Sequence, residues 1–130
     1  MPADDATTTP IELVRRFCAA WADLDLDALV EYFTDDAVYH NIPIAPVSGR
    51  DAIRATIEGF TAGTERIEFR VRAIAADGPT VLTERVDVFV LPGATIELPV
   101  MGVFEVRDGR IAAWRDYFDL NQFTSQLPSA

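Results

Sequence analysis

The residues with most to say about chemistry lie in the stretch 80–90, TVLTERVDVFV, which has the β-branched and aromatic content of a strand but carries Arg85 and Asp87 in its middle. Side chains two apart on a strand point to the same face. Arg85 and Asp87 therefore project together, flanked by Val81, Thr83 and Phe89, while Leu82, Val86, Val88 and Val90 make the other face almost wholly apolar. A strand this apolar on both faces is expected to be covered on both sides. Taking a guanidinium and a carboxylate out of water costs several kcal/mol per ion unless each is paired, so the two form a structural ion pair or belong to a site. Asp116 is a second anomaly, a carboxylate between Trp114 and Phe118 on one strand face. If the strands bring Asp87 and Asp116 to opposite sides of Arg85, two acids share one cation and the cluster carries one excess negative charge. Such a cluster tends to keep one proton, and the pair titrates as a unit. An acid and a base held apart by a rigid planar fork suit a reaction that needs both at once. Tyr39 and Asn41, two apart on another short strand, are either holders of a water beside the base or a core tyrosine and a turn-edge asparagine.

The elements that must position these groups read as helices first and strands after. Thr9 caps a first helix, with Pro10 at its first position, Glu12 returning a capping-box bond, and Ile11, Val14, Phe17, Cys18 and Trp21 on one apolar face. Asp25 caps a second helix over 26–33, ended by Thr34, Asp35 and Asp36. A strand over 37–42 puts Tyr39 and Asn41 on one face and Val38, His40 and Ile42 on the other, which makes His40 structural or superficial. Pro43 and Pro46 force a loop. A third helix starts at 48–51, turns Ile53, Ile57 and Phe60 inward, and ends near Gly63. Strands follow at 66–74, with Ile67, Phe69, Val71 and Ala73 on one face, and at 80–90, 96–107 and 110–120. Pro99 is expected to interrupt the third of these, and Gly102 to mark a bulge or a close approach. Asp77-Gly78-Pro79, residues 91–94 and Asp108-Gly109 are the turns, and a short helix or coil ends the chain.

This order predicts an α+β fold: a strongly curved mixed, largely antiparallel sheet with three to four helices packed on it, enclosing a cone-shaped pocket. Residues 1–130 form one domain, with 1–8 as a flexible tail. The start has neither a basic segment nor an apolar run, so neither a signal peptide nor a membrane span is expected. Eleven arginines, no lysine and a net charge of −10 argue against nucleic acid and anionic membranes, leaving a neutral or cationic small molecule as partner. One cysteine and one histidine cannot build a usual zinc site, no dinucleotide or P-loop motif is present, and a serine triad has no nucleophile elbow near His40. The lone Cys18 fits a cytoplasmic setting.

Tyr39-His40-Asn41, Thr83-Glu84-Arg85-Val86-Asp87-Val88, Gly102-Val103-Phe104 and Trp114-Arg115-Asp116-Tyr117-Phe118-Asp119 together resemble the limonene-1,2-epoxide hydrolases, a branch of the nuclear transport factor 2-like fold. The resemblance runs from the first helix to about Phe123. It implies that Asp116 is the general base on a water also held by Tyr39 and Asn41, that Asp87 is the acid that protonates the epoxide oxygen, and that Arg85 bridges the two. It also implies a cofactor-free homodimer acting on a small-molecule epoxide in one concerted step. Leu98, Met101, Val103, Ile74 and Phe118 are candidates for the pocket lining. Two rival readings remain at this stage: a ketosteroid isomerase- or polyketide cyclase-like proton shuttle, and a non-catalytic small-molecule-binding module of the same fold.

Overall fold

The computed structural model describes residues 8–128, so the expected tail, apart from Thr8, lies outside the described residues. Helix α1 (Pro10–Ala20) begins with the reciprocal cap: Glu12 N donates to Thr9 Oγ1 at 3.1 Å and Thr9 N to Glu12 Oε1 at 2.9 Å. Its buried stripe is Leu13, Val14, Phe17 and Cys18, and one 3-10 turn (Trp21–Asp23) extends it. Helix α2 (Leu26–Glu31) carries the Asp25 cap. It stops two residues sooner than its apolar spacing predicts. The Tyr32 carbonyl accepts from Ile111 N at 2.7 Å and the Phe33 carbonyl from the Arg50 guanidinium at 2.7 and 3.0 Å, so tertiary donors hold both carbonyls where the chain turns from the helix into the sheet. Phe33 therefore opens strand β1 (Phe33–Asn41), which pairs with the last strand at Phe33 and resumes only at Val38. Thr34, Asp35 and Asp36 lie in this bulged part, inside a strand instead of closing a helix.

A two-residue strand β2 (Val47–Ser48), not foreseen, pairs with β1, and α3 (Arg50–Thr61) buries Ile53 and Ile57 with Phe60 half-buried. Then come β3 (Arg66–Asp77), β4 (Thr80–Leu91), β5 (Ala94–Arg107) and β6 (Arg110–Tyr117), followed by helix α4 (Leu120–Thr124) with Asp119 as cap. The sheet order is β2-β1-β6-β5-β4-β3; only β1 and β6 run parallel. The α+β class, the mixed and mostly antiparallel curved sheet and the four helices agree with the expectation. No helix among the described residues is long and apolar enough to cross a membrane.

Three strand expectations need correction. The β3 register slips between Val71 and Ala73, and the extra residue reverses the alternation, so Ile74 packs on the core while Ala73 is exposed. Pro99 does not interrupt β5, which pairs with β4 straight through it. Since β6 reaches only to Met101, one edge of β5 is free there, and a residue without an N–H is tolerated. The outer face of β4 is not fully covered by the described residues: Leu82 is 42 % exposed and Val86 and Val90 are half-buried, although Val88 is buried.

The inner face of the sheet carries an aromatic core. Trp114 stacks on Tyr39 at 4.3 Å between ring centres and on Phe104 at 5.4 Å, Phe17 meets it edge-on at 5.0 Å, and Trp21 stacks on Phe69 at 4.6 Å. Such pairs contribute about 0.5–1.5 kcal/mol each beyond area burial, and they fix the rings against which the polar groups of the site stand.

Candidate active site

Three strands of one sheet, β1 and β6 side by side and β4 on the far side of β5, bring the predicted residues together. β4 supplies Thr83, Arg85 and Asp87, β6 supplies Asp116, and β1 supplies Tyr39 and Asn41, with Asn41 directly opposite Asp116 in the ladder. Arg85 is 1 % exposed and lies over the Phe69 ring, its central carbon 4.8 Å from the ring centre. Its Nε donates to Asp87 Oδ1 at 3.0 Å and Nη2 to Asp87 Oδ2 at 2.8 Å. On the other side Nη1 and Nη2 donate to Asp116 Oδ1 and Oδ2 at 3.2 and 2.8 Å. The remaining hydrogen of Nη1 goes to Thr83 Oγ1 at 3.1 Å. A guanidinium has five N–H donors, so every one is used and the fork cannot turn without breaking a bond.

Gly102 on β5 makes the space for this fork. A Cβ there would collide with Arg85 Nη1 and stand 2.8 Å from Asp116 Oδ1 and 2.9 Å from Thr83 Oγ1. Of the two readings of this glycine, close approach is the one found; the β5 register slip lies at Glu105/Val106 instead. Asp116 Oδ1 also accepts from Trp114 Nε1 at 2.7 Å, so the carboxylate is held from two directions. Tyr39 Oη donates to Asn41 Oδ1 at 3.2 Å, which turns the Asn41 amide nitrogen to the free side. His40 points away, as alternation requires, and its Nε2 meets the Ile44 carbonyl at 2.9 Å.

Two acids and one arginine leave one excess negative charge in a dry setting. Burial pushes Asp87 from 3.8 up to about 6, with the charge and hydrogen bonds of Arg85 pulling down and Asp116 adding an upward push. Burial works against the charge of Arg85, but the flanking Asp116 and Asp87 outweigh it and hold the guanidinium well above its ordinary range. Burial, then the Asp116 charge, raises the Tyr39 hydroxyl, which stays a neutral donor. Burial likewise pushes Cys18 up to about 12, so it is a packed thiol and not a nucleophile.

Asp87, Asp116, Tyr39 and Asn41 share the wall of one cavity of about 360 Å³. The rest of its lining is almost wholly apolar, with Phe69, Phe89, Leu98, Val100, Phe118 and Phe123 prominent. Of the five candidates for pocket lining, Leu98 and Phe118 line it. Met101 faces outward at 51 % exposure, and Val103 and Ile74 are not in the wall. Thr83 and Trp114, expected on these faces, prove to be hydrogen-bond partners of Arg85 and Asp116, a role the sequence did not assign them. Each sits two residues before a charged group on its own strand, so the same alternation rule that paired Arg85 with Asp87 locates them.

The family profile described as limonene-1,2-epoxide hydrolase catalytic domain matches residues 8–129. Epoxide hydrolase EphG of Mycobacterium tuberculosis (strain ATCC 25618 / H37Rv) is 38 % identical over 107 residues, covering 82 % of this chain and 71 % of the relative. A solved M. tuberculosis epoxide hydrolase, described as LEH-like, superposes with a TM-score of 0.80 at 34 % identity, over 91 % of this chain and 88 % of the other. A Catenulispora acidiphila DSM 44928 protein of ketosteroid isomerase-like fold gives a TM-score of 0.81 at 27 % identity, over 93 % and 96 %. The fold is thus shared across several groups of proteins, while the family match and the curated relative support an epoxide hydrolase in broad terms.

Proposed function

The chain belongs to the limonene-1,2-epoxide hydrolase family, and on that premise we propose that it adds water to a neutral, mostly apolar epoxide to give a vicinal diol in one concerted step. The observation that carries this reading is the pair of buried carboxylates on one cavity wall, bridged by a single arginine whose donors are all engaged.

In this mechanism Asp116 is the base. A water beside it donates one hydrogen to Asp116 and the other to the Tyr39 oxygen, and accepts from the free Asn41 amide nitrogen, which leaves a lone pair aimed into the cavity. As that oxygen bonds to the epoxide carbon, the carbon–oxygen bond on the opposite side breaks and Asp87 gives its proton to the departing oxygen. Asp116 ends protonated and Asp87 ionised, so the one carboxylate charge crosses from one side of Arg85 to the other while the three groups together stay neutral. The guanidinium is bonded to both acids throughout and needs no rearrangement, which is the advantage of a preorganised site. Apolar walls exclude competing water and favour a substrate without charge.

The homodimer that the resemblance implies fits the outer face of the sheet, where Leu82, Met101, Tyr117 and Val38 are 42, 51, 46 and 38 % exposed. A second copy packed there would cover β4 on its open side.

A panel of cyclic and styrene-type epoxides, assayed with chiral product analysis, tests the reaction. Single turnover in heavy-oxygen water should place label in the diol and none in the protein. Label in a carboxylate would indicate a covalent route and end this mechanism. Deuterium exchange beside a carbonyl with no diol formed would favour the proton-shuttle alternative.

A further inference from the structure

Most of the cavity lining stands on strands or on α3, but Leu120 and Phe123 stand on α4. That helix has five residues, none of them buried, and is far too short to persist by its own propensity. Phe123 meets Phe89 edge-on at 5.8 Å. The polar anchorage comes from a residue after the helix. Because β6 stops at Tyr117, opposite Met101, β5 has β4 on one side and, among the described residues, no strand on the other from residue 94 to 100. At Glu97 that free edge is occupied by one side chain. Gln126 Oε1 accepts from Glu97 N at 3.0 Å, and Gln126 Nε2 donates to Glu97 O at 3.0 Å. The same amide nitrogen also donates to Gln122 O at 2.7 Å, tying the clip back to α4 itself. Bonding both the N–H and the C=O of one residue is what an adjacent strand does, and it also fixes which end of the amide is oxygen.

We infer that Gln126 is a positioning residue for substrate size: its amide serves as a one-residue strand that clips the C-terminal segment to β5 and so sets Leu120 and Phe123 against the substrate. The kinetic part rests on the epoxide hydrolase reading; the clip does not. Gln126 bonds none of Arg85, Asp87 or Asp116, so its loss should alter fit and leave the chemical step alone. A loosened outer wall grips a small substrate less well and obstructs a large one less.

Gln126→Leu keeps the bulk and removes all three bonds, while Gln126→Glu keeps only the acceptor for Glu97 N. Both are compared with the unaltered protein on cyclohexene oxide and on trans-stilbene oxide, with amide exchange at Glu97 followed by NMR. For the leucine variant, KM for cyclohexene oxide should rise about 10-fold with kcat within about twofold. The kcat/KM preference for the smaller epoxide should fall by about the same factor, and Glu97 exchange should quicken about 10-fold. The glutamate variant turns a carboxylate oxygen toward the Glu97 and Gln122 carbonyls, so its changes should be at least as large as those of the leucine variant. An unchanged preference with faster exchange would show a clip that does not set size; unchanged exchange would show no clip; an equal loss of kcat on both substrates would show general damage. Each of these outcomes overturns the inference. If the unaltered protein hydrolyses no epoxide, the catalytic reading fails separately. Calorimetric affinities for cyclohexane-1,2-diol and hydrobenzoin then judge Gln126, and an unchanged ratio between them in the leucine variant overturns it.

Discussion

Replacing Asp87 by asparagine separates what this carboxylate costs the fold from what it gives the reaction. In the folded chain burial lifts it from 3.8 to about 6, against the pull of Arg85 and with a push from Asp116. A folded pKa above the unfolded one contributes stability that is fully present below about pH 4 and is lost as pH rises through about 6, in total about 3 kcal/mol. Asparagine does not ionise and escapes that loss. It has a constant cost of its own. Asp87 accepts from both Nε and Nη2 of Arg85, and an amide has one oxygen for the two, so one N–H of the buried fork faces another donor, at about 1–3 kcal/mol. The variant should therefore be less stable than the unaltered protein by about 1–3 kcal/mol near pH 4, and level with it or up to about 2 kcal/mol more stable at pH 8. Urea unfolding followed by tryptophan fluorescence at both pH values reads the difference directly. Turnover of cyclohexene oxide should fall by about 10²–10⁴-fold, the range for loss of a general acid. A stability difference that is the same at both pH values would refute the raised pKa. Turnover within tenfold of normal would refute the role of Asp87 as acid.

Gly102→Ala places a methyl group against Arg85 Nη1, so the guanidinium must withdraw from Asp116; because the Gly102 backbone is not in the left-handed region, the loss should appear in kcat, about 100-fold, with unchanged far-ultraviolet circular dichroism. Activity within twofold would mean that the fork tolerates displacement. Trp114→Phe keeps most of the stacking on Tyr39 and removes the 2.7 Å bond to Asp116; kcat should drop about 10-fold with KM nearly constant, measured on the same epoxide. Met101→Glu puts a charge in the centre of the proposed dimer face, and sedimentation velocity should show the protein shifting from dimer to monomer. A monomer before the change would dispose of the homodimer.

The sequence by itself determined which residues share a strand face, because alternation is a local rule that holds wherever no bulge intervenes. Arg85 with Asp87, Tyr39 with Asn41, and Trp114 with Asp116 each share a face for that reason alone, and the Thr9 and Asp25 caps were readable from side-chain chemistry three residues deep. Tertiary structure decided whatever depends on partners far along the chain. The second helix yields to Ile111 and Arg50 at its end, and the register slip at Val71/Ala73 hands the core to Ile74. Pro99 is accommodated because β6 is short. That Arg85 spends all five donors, that Gly102 is the void which lets it lie flat, and that Gln126 fills the free edge of β5 are facts of three-dimensional register, since each depends on residues from different strands arriving at one spot. Local spacing fixes the direction of a side chain; only the closed sheet fixes what that side chain touches.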